Sequence, residues 1–400
     1  MPFFQRADLL IPRGELLDRW PVVACDQFTS QPEYWREVAA AVGEAPSAYH
    51  IILPEAELGE NEAERIAAID RTMEDYLASD VFRCYPKCYV YVERTLRSGA
   101  VRRGVVGVVD LEAYDYLPGA KTPIRATEKT VVERIPPRVR IRSGAAIESS
   151  HVLLLCSDPE ETLIERVDKG EKLYDLELMQ GGGRLKGWLV DGAAADRFDE
   201  ALARYEAAAK DGFCYAVGDG NHSLAAAKSC WEELKKADPS LAGTEHPARY
   251  AMVELENLFD PAQVFEPIHR IVRDVDTAKL LAELGKDFRR DGTPVLWYTK
   301  CGGGVLRFGS DRLPLEALQS GLDAYLGAEK GSVDYIHGED VALSLARQEG
   351  TVAFLLPRLE KDEVFGSILR SGVLPRKTFS IGHAEEKRYY LECRRIRPEE

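Results

Sequence analysis

The chain has no excess of positive charge. Its 52 lysines and arginines face 67 aspartates and glutamates, a formal net charge of −15. That balance excludes broad nucleic-acid binding, which needs a basic surface to neutralise many phosphates. It leaves room for one small anion, because a local basic pocket can sit in an acidic protein. Long apolar runs are also missing. No stretch approaches the roughly 20 residues needed to span a bilayer, so no membrane partner is expected. The opening residues Met1-Pro-Phe-Phe-Gln-Arg-Ala-Asp8 lack a basic stretch followed by an apolar one, so no secretory leader is expected. The eight cysteines make no metal set: only Cys84 and Cys88 are closely spaced, and no second pair joins them. Cys156 and Cys214 lie in apolar runs, where free thiols are commonly buried. A cytoplasmic protein with reduced thiols is the expectation. Internal repeats and long disordered tracts are absent too.

What is present is an alternation of β-rich runs and amphipathic stretches, which predicts an α/β (mixed α+β) fold with mixed sheets flanked by helices. Helices are expected over 62–77, 193–210, 277–288, 315–326, 339–348 and 361–369. Hairpins are expected around Ser98-Gly99 and Gly302-Gly-Gly304, and strand-like runs flank Gly181-Gly-Gly183. Val152 to Cys156 and Tyr250 to Leu258 read as strands, Asp158-Pro159 as a helix start, Pro136-Pro137 as a break, and Arg388 to Ile396 as a terminal strand. Three regions are expected, 1–145, 146–290 and 291–400, with strands free to pair across the boundaries.

One stretch concentrates chemistry: Phe213-Cys-Tyr-Ala-Val-Gly-Asp-Gly-Asn-His-Ser-Leu-Ala-Ala-Ala-Lys228. A strand ends at Gly218, a polar turn follows, and a helix opens through Ser223. The first turn of a helix leaves N–H groups unpaired and carries partial positive charge. Gly218 and Gly220 let the main chain approach a ligand. Asp219 and His222 bring a carboxylate and an imidazole to the same rim, and Asn221 lies between them. The plainer alternative is that Asn221 or Ser223 simply caps the helix. The spacing matches neither the dinucleotide fingerprint nor the Walker phosphate loop.

Four motifs in order, Val22-Val-Ala-Cys-Asp26, Asp219-Gly-Asn-His-Ser223, Pro267-Ile-His-Arg270 and Leu374-Pro-Arg-Lys-Thr-Phe379, resemble one bacterial family of unknown function, family number 1015, over essentially the whole chain. The Asp-Gly-x-His turn is also similar to that of the ParB/sulfiredoxin superfamily, which includes a free-serine kinase. There such a turn holds nucleotide phosphates, and the resemblance implies a related core and ATP or ADP with Mg²⁺ as ligands. The chain departs from it in having Ser223 where the usual arginine stands. It also has Asn221 in place of the sulfiredoxin cysteine.

The missing guanidinium is expected from Arg270, beside His269 after a strand-like segment; a solvated loop pair is the alternative. Lys377 is a candidate phosphate counter-charge. Asp26, at the end of an apolar run, is a candidate carboxylate, either general base or turn former. Glu128 and Lys129 in Arg125-Ala-Thr-Glu-Lys129 are candidate contacts. Arg134, Arg138, Arg140 and Arg142 would alternate in direction if extended. His50, His151 and His246 have no supporting constellation, and His337-Gly-Glu-Asp340 reads as a helix start.

These residues point to phosphoryl transfer on a small hydroxyl-bearing or phosphorylated metabolite, serine or phosphoserine being the first to try. Phosphate would lie on the amides after Asp219, with Asp219 or Asp26 as base, Asp219 as a Mg²⁺ ligand and His222 as proton donor. The alternative is a non-catalytic protein that binds a nucleotide or phosphometabolite, a reading that Ser223 favours.

Overall fold

Valine-rich runs on either side of Ser98-Gly99 form the expected hairpin: strands Phe82–Thr95 and Val101–Asp110 pair antiparallel. They are the centre of the larger sheet in a computed structural model that describes residues 2–59, 61–287, 290–309 and 313–398. The fold is mixed α/β. The chain divides into two units, Met1–Gln263 with His383–Glu400, and Val264–Gly382. This differs from the three regions expected, because the last residues return to pair inside the first unit.

Across the first unit's sheet the strands run Lys172–Leu178, Gly183–Val190, Phe82–Thr95, Val101–Asp110, Tyr250–Asn257, Leu153–Cys156, Tyr215–Asp219, Ile124–Ala126 and Tyr114–Asp115. Phe4–Gln5 and Ala7–Pro12 add to Val101–Asp110 and Phe82–Thr95. Leu153–Cys156 is parallel to Tyr250–Asn257 and antiparallel to Tyr215–Asp219, so the sheet is mixed where it carries the motif. Helices Glu62–Ala78, Gly192–Ala208 and Asn221–Ala237 bury the apolar residues spaced for it, among them Ile69 and Met73, Phe198 and Leu202, and Leu224 and Trp231.

Three expectations need correction. Pro136 and Pro137 do not break the chain but open the helix Ile135–Ser143, where a missing N–H costs nothing in the first turn. The arginine run is therefore helical, and Arg138 and Arg142 fall on one face instead of alternating. Asp158 starts no helix. Its carboxylate closes a turn by accepting the N–H groups of Thr162 at 2.6 Å and Leu163 at 2.8 Å. The terminal strand is reduced to two short pairings, Tyr389–Tyr390 with Val22–Val23 and Arg394–Arg395 with Ile147–Glu148.

This returning segment is held by buried charge. Arg388 donates to Glu254 at 2.7 Å and Glu392 at 2.6 Å, and also to the carbonyl of Ser150. Gly104 makes room for the cluster, since a Cβ there would lie 2.5 Å from Glu254 Oε1. Leu10 and Cys393 exchange main-chain hydrogen bonds, and Trp20 Nε1 donates to Leu391 O at 3.0 Å.

The second unit is an antiparallel sheet ordered Gly302–Phe308, Thr293–Thr299, Val352–Leu355, Phe265–Arg273 and Ser332–His337, with Phe379–Ile381 on Phe265–Arg273. Helices Thr277–Leu284 and Pro314–Ala328 close its core over Val272, Val295, Leu318 and Phe354. Helices Glu339–Leu345 and Lys361–Ser371 complete it. Phe288, expected to end the first of these helices, lies outside the described residues.

Replacing Arg388 with Ala strands two buried carboxylates. It should cost about 3–5 kcal/mol in equilibrium urea unfolding; a loss below about 1 kcal/mol would show that the cluster does not hold the segment.

Candidate functional site

The strand Tyr215–Asp219 delivers the polar turn to the end of the sheet, and Gly220 reverses it into the helix Asn221–Ala237. Gly220 has φ 75°, and a Cβ on it would lie 2.9 Å from Val152 Cα and 3.4 Å from His151 Cδ2. Only glycine meets both conditions. The N-cap is Gly220, which has no side chain, and Asn221 and Ser223 lie inside the helix, so neither is its N-cap. Asn221 Nδ2 reaches back to Val217 O at 3.5 Å, and Ser223 Oγ points to His151 Nε2 at 3.3 Å. Asn221 Oδ1 is buried and has no hydrogen-bond partner.

Asp219 binds its own turn through the N–H of Gly220, 2.8 Å from Oδ1, and pairs with Lys387 Nζ, 3.0 Å from Oδ2. Lys387 comes from the returning segment and was not singled out in the sequence. Its ammonium already supplies the positive charge opposite Asp219 that Mg²⁺ was expected to supply. Among the described residues no cluster of three or more His, Cys, Asp or Glu side chains forms a metal site. Mg²⁺ on Asp219 does not fit this arrangement.

His222 Nε2 accepts the N–H of Val131 at 3.2 Å. That bond makes Nδ1 the protonated nitrogen of the neutral ring, so His222 Nε2 holds the loop at Val131.

The imidazole that gathers a tyrosine, a serine and an aspartate is His151, for which the sequence offers no supporting constellation. It is 4% exposed. Its Nδ1 lies 2.6 Å from Tyr390 OH, which in turn accepts the N–H of Cys25 at 3.2 Å. Its Nε2 faces Ser223 and lies 3.9 Å from Asp26 Oδ2. Burial alone would raise the Asp26 carboxyl, but His151, the hydrogen bond from Gln27, Arg138 and Lys387 together hold it below the usual carboxylate range. Four segments far apart in sequence therefore meet here: 25–26, 151, 219–223 and 387–390. Burial pushes the Cys25 thiol up to about 11, which removes it as a thiolate at neutral pH.

The other expected site residues have different surroundings. Arg125 is buried, donates to Thr122 O at 2.8 Å and covers the Phe213 ring; Lys129 is exposed and Glu128 half-buried. His269, Arg270 and Lys377 belong to the second unit. Arg270 is neither a loop residue nor a fork awaiting phosphate. It is fully buried in the strand Phe265–Arg273 and donates to Gln319 Oε1 and to the carbonyls of Ile268, Lys377 and Arg376, at 2.6–3.0 Å. Four of its five N–H groups are thus engaged within its own unit. Lys377 is exposed and has φ 55°. His269 Nδ1 accepts the N–H of Leu356 at 3.2 Å, and burial pulls its imidazole below the usual histidine range.

The first unit is thus a mixed α/β body with a glycine-capped helix start beside a buried histidine. The chain belongs to the family described as Protein of unknown function (DUF1015), which matches residues 8–394. No curated protein matches it. Among solved structures it is similar to a conserved hypothetical protein from Pyrococcus furiosus, at 12% identity and TM-score 0.36 over 72% of this chain and 94% of that one. It is similar to C-terminally truncated SbnI from Staphylococcus aureus at 12% and 0.37, over 69% and 82%. A free serine kinase in complex with AMP gives 12% and 0.38, over 72% and 90%. Among the described residues no helix is long and apolar enough to cross a membrane.

Two measurements check the local chemistry. Iodoacetamide at pH 7.5 should label the exposed Cys84 and Cys301 and spare Cys25; early modification of Cys25 would contradict the raised thiol. Below the ordinary histidine value of about 6.5, the unfolded chain takes up a proton that folded His269 refuses. Hydrogen-exchange protection of 265–273 should therefore fall more between pH 7 and pH 5 in the native protein than in His269→Gln, which keeps an acceptor for Leu356. Equal pH dependence would exclude this role.

Proposed function

We propose that the protein is a phosphotransferase or phosphohydrolase acting on a small phosphorylated or hydroxyl-bearing metabolite, with phosphate held at the start of the helix Asn221–Ala237. One observation carries the reading: the N-cap of this helix is Gly220, so no N-cap side chain covers its first-turn amides. First-turn amides and the helix dipole favour an anion there. Lys387, fixed by Asp219, adds a full positive charge on the same rim.

His151 is the acid–base group. Neutral, it takes a proton at Nε2 from an attacking hydroxyl or water; charged, it returns that proton to the leaving oxygen. Asp26 supports the charged form electrostatically, a role that suits its lowered pKa better than that of base. ATP and ADP are the phosphate donors to test, with serine or phosphoserine as the first small substrate. No step is routed through a metal.

The test is a kinetic assay of native protein and variants with serine, phosphoserine, ADP and ATP. His151→Asn and Lys387→Ala should each lower kcat/KM by about 100-fold or more. His222→Ala should lower it less, through the loop at Val131. Native turnover in the His151 and Lys387 variants would sink the mechanism. Saturable binding with no product from the native protein would instead identify a regulatory binder of nucleotide or phosphometabolite.

A further inference from the structure

Behind His151 and Ser223 lies a cavity of about 140 Å³. The helix Ile135–Ser143, the helix Asn221–Ala237 and the segment 147–152 enclose it. Its polar end is the site itself: His151, Ser223, Tyr390 and Cys25 all line it. The rest is largely apolar, with Ile51, Leu53, Met73, Ile141, Ile147 and Met252 on its walls. Arg138, Arg142 and Glu148 also line it; Arg138 pairs with Glu55 and Arg142 Nη1 with Glu148, while Arg142 Nη2 is buried without a hydrogen-bond partner.

From this we infer that the metabolite bound at the site has an apolar body of roughly benzene size, which enters the cavity while its phosphate or hydroxyl head stays at Ser223 and His151. A cavity of about 150 Å³ takes benzene, and the volume here is close to that. Serine gains little from the same space, because it has no hydrocarbon group to set against the isoleucine and methionine walls. The inference rests on the phosphate reading above and narrows its substrate class to monoesters or alcohols with a compact hydrocarbon group.

Calorimetric titration of the native protein with benzyl phosphate, phosphoserine, inorganic phosphate and benzyl alcohol tests it. Benzyl phosphate should bind at least about tenfold more tightly than phosphoserine or inorganic phosphate. Ala226→Leu puts a branched side chain on the cavity wall and should bring the ratio of benzyl phosphate to inorganic phosphate affinity close to one. Equal affinities for all three phosphates in the native protein would overturn the inference, even if Ala226→Leu did not fold. So would a folded Ala226→Leu protein that keeps the native ratio. The phosphate reading fails separately: benzyl alcohol binding without any phosphate binding would support the apolar cavity and remove the anion site.

Discussion

Arg388 is the point on which the first unit's site depends. A guanidinium inside a protein is tolerated only where acceptors surround it, and here they come from three places. Glu254 lies on a central strand, Glu392 on the same returning segment, and the Ser150 carbonyl stands one residue before His151. Satisfying Arg388 therefore fixes the last residues against the sheet. Its sequence neighbours are Lys387, which pairs with Asp219, and, two residues on, Tyr390, which meets His151. One buried ion cluster thus sets the positions of a cation, a hydroxyl and an imidazole together.

The site shows how neighbours decide between chemically similar residues. Two histidines flank the turn. His222 is in the motif, but its Nε2 is engaged by Val131. His151 is outside it, yet a tyrosine, a serine and an aspartate surround its ring. The two carboxylates divide in the same way. Asp219 closes its own turn and holds Lys387, whereas Asp26 faces the imidazole that lowers its pKa. Polar and apolar requirements meet at the helix itself: Ser223 serves the polar end, while Ala225 and Ala226 are buried against Ile135. The small side chains of Ala226 and Ala227 line the cavity beside His151 and leave it open.

Elements whose signal is local were readable before any coordinates. The helix 62–78, the hairpin about Ser98-Gly99 and the strand–turn–helix at 215–237 follow from apolar period and turn residues, and all three are present. Misreadings came where a local rule met a global need. Pro136-Pro137 was taken for a break because proline lacks an N–H, but a helix start does not use it. Arg270 resembled a phosphate fork because an arginine's partners are invisible in sequence; burial in a sheet assigned it four acceptors.

The amino acids in order were enough to mark the glycine turn, the uncharged apolar strand before it and the alanine-rich helix after it, since each depends on backbone preferences a few residues long. Folding in three dimensions chose His151 over His222, brought Lys387 to Asp219 and opened an apolar chamber behind Ser223. Those outcomes depend on contacts between residues more than 70 positions apart, and the energy of such a contact is set by burial and approach, neither of which exists along an unfolded chain.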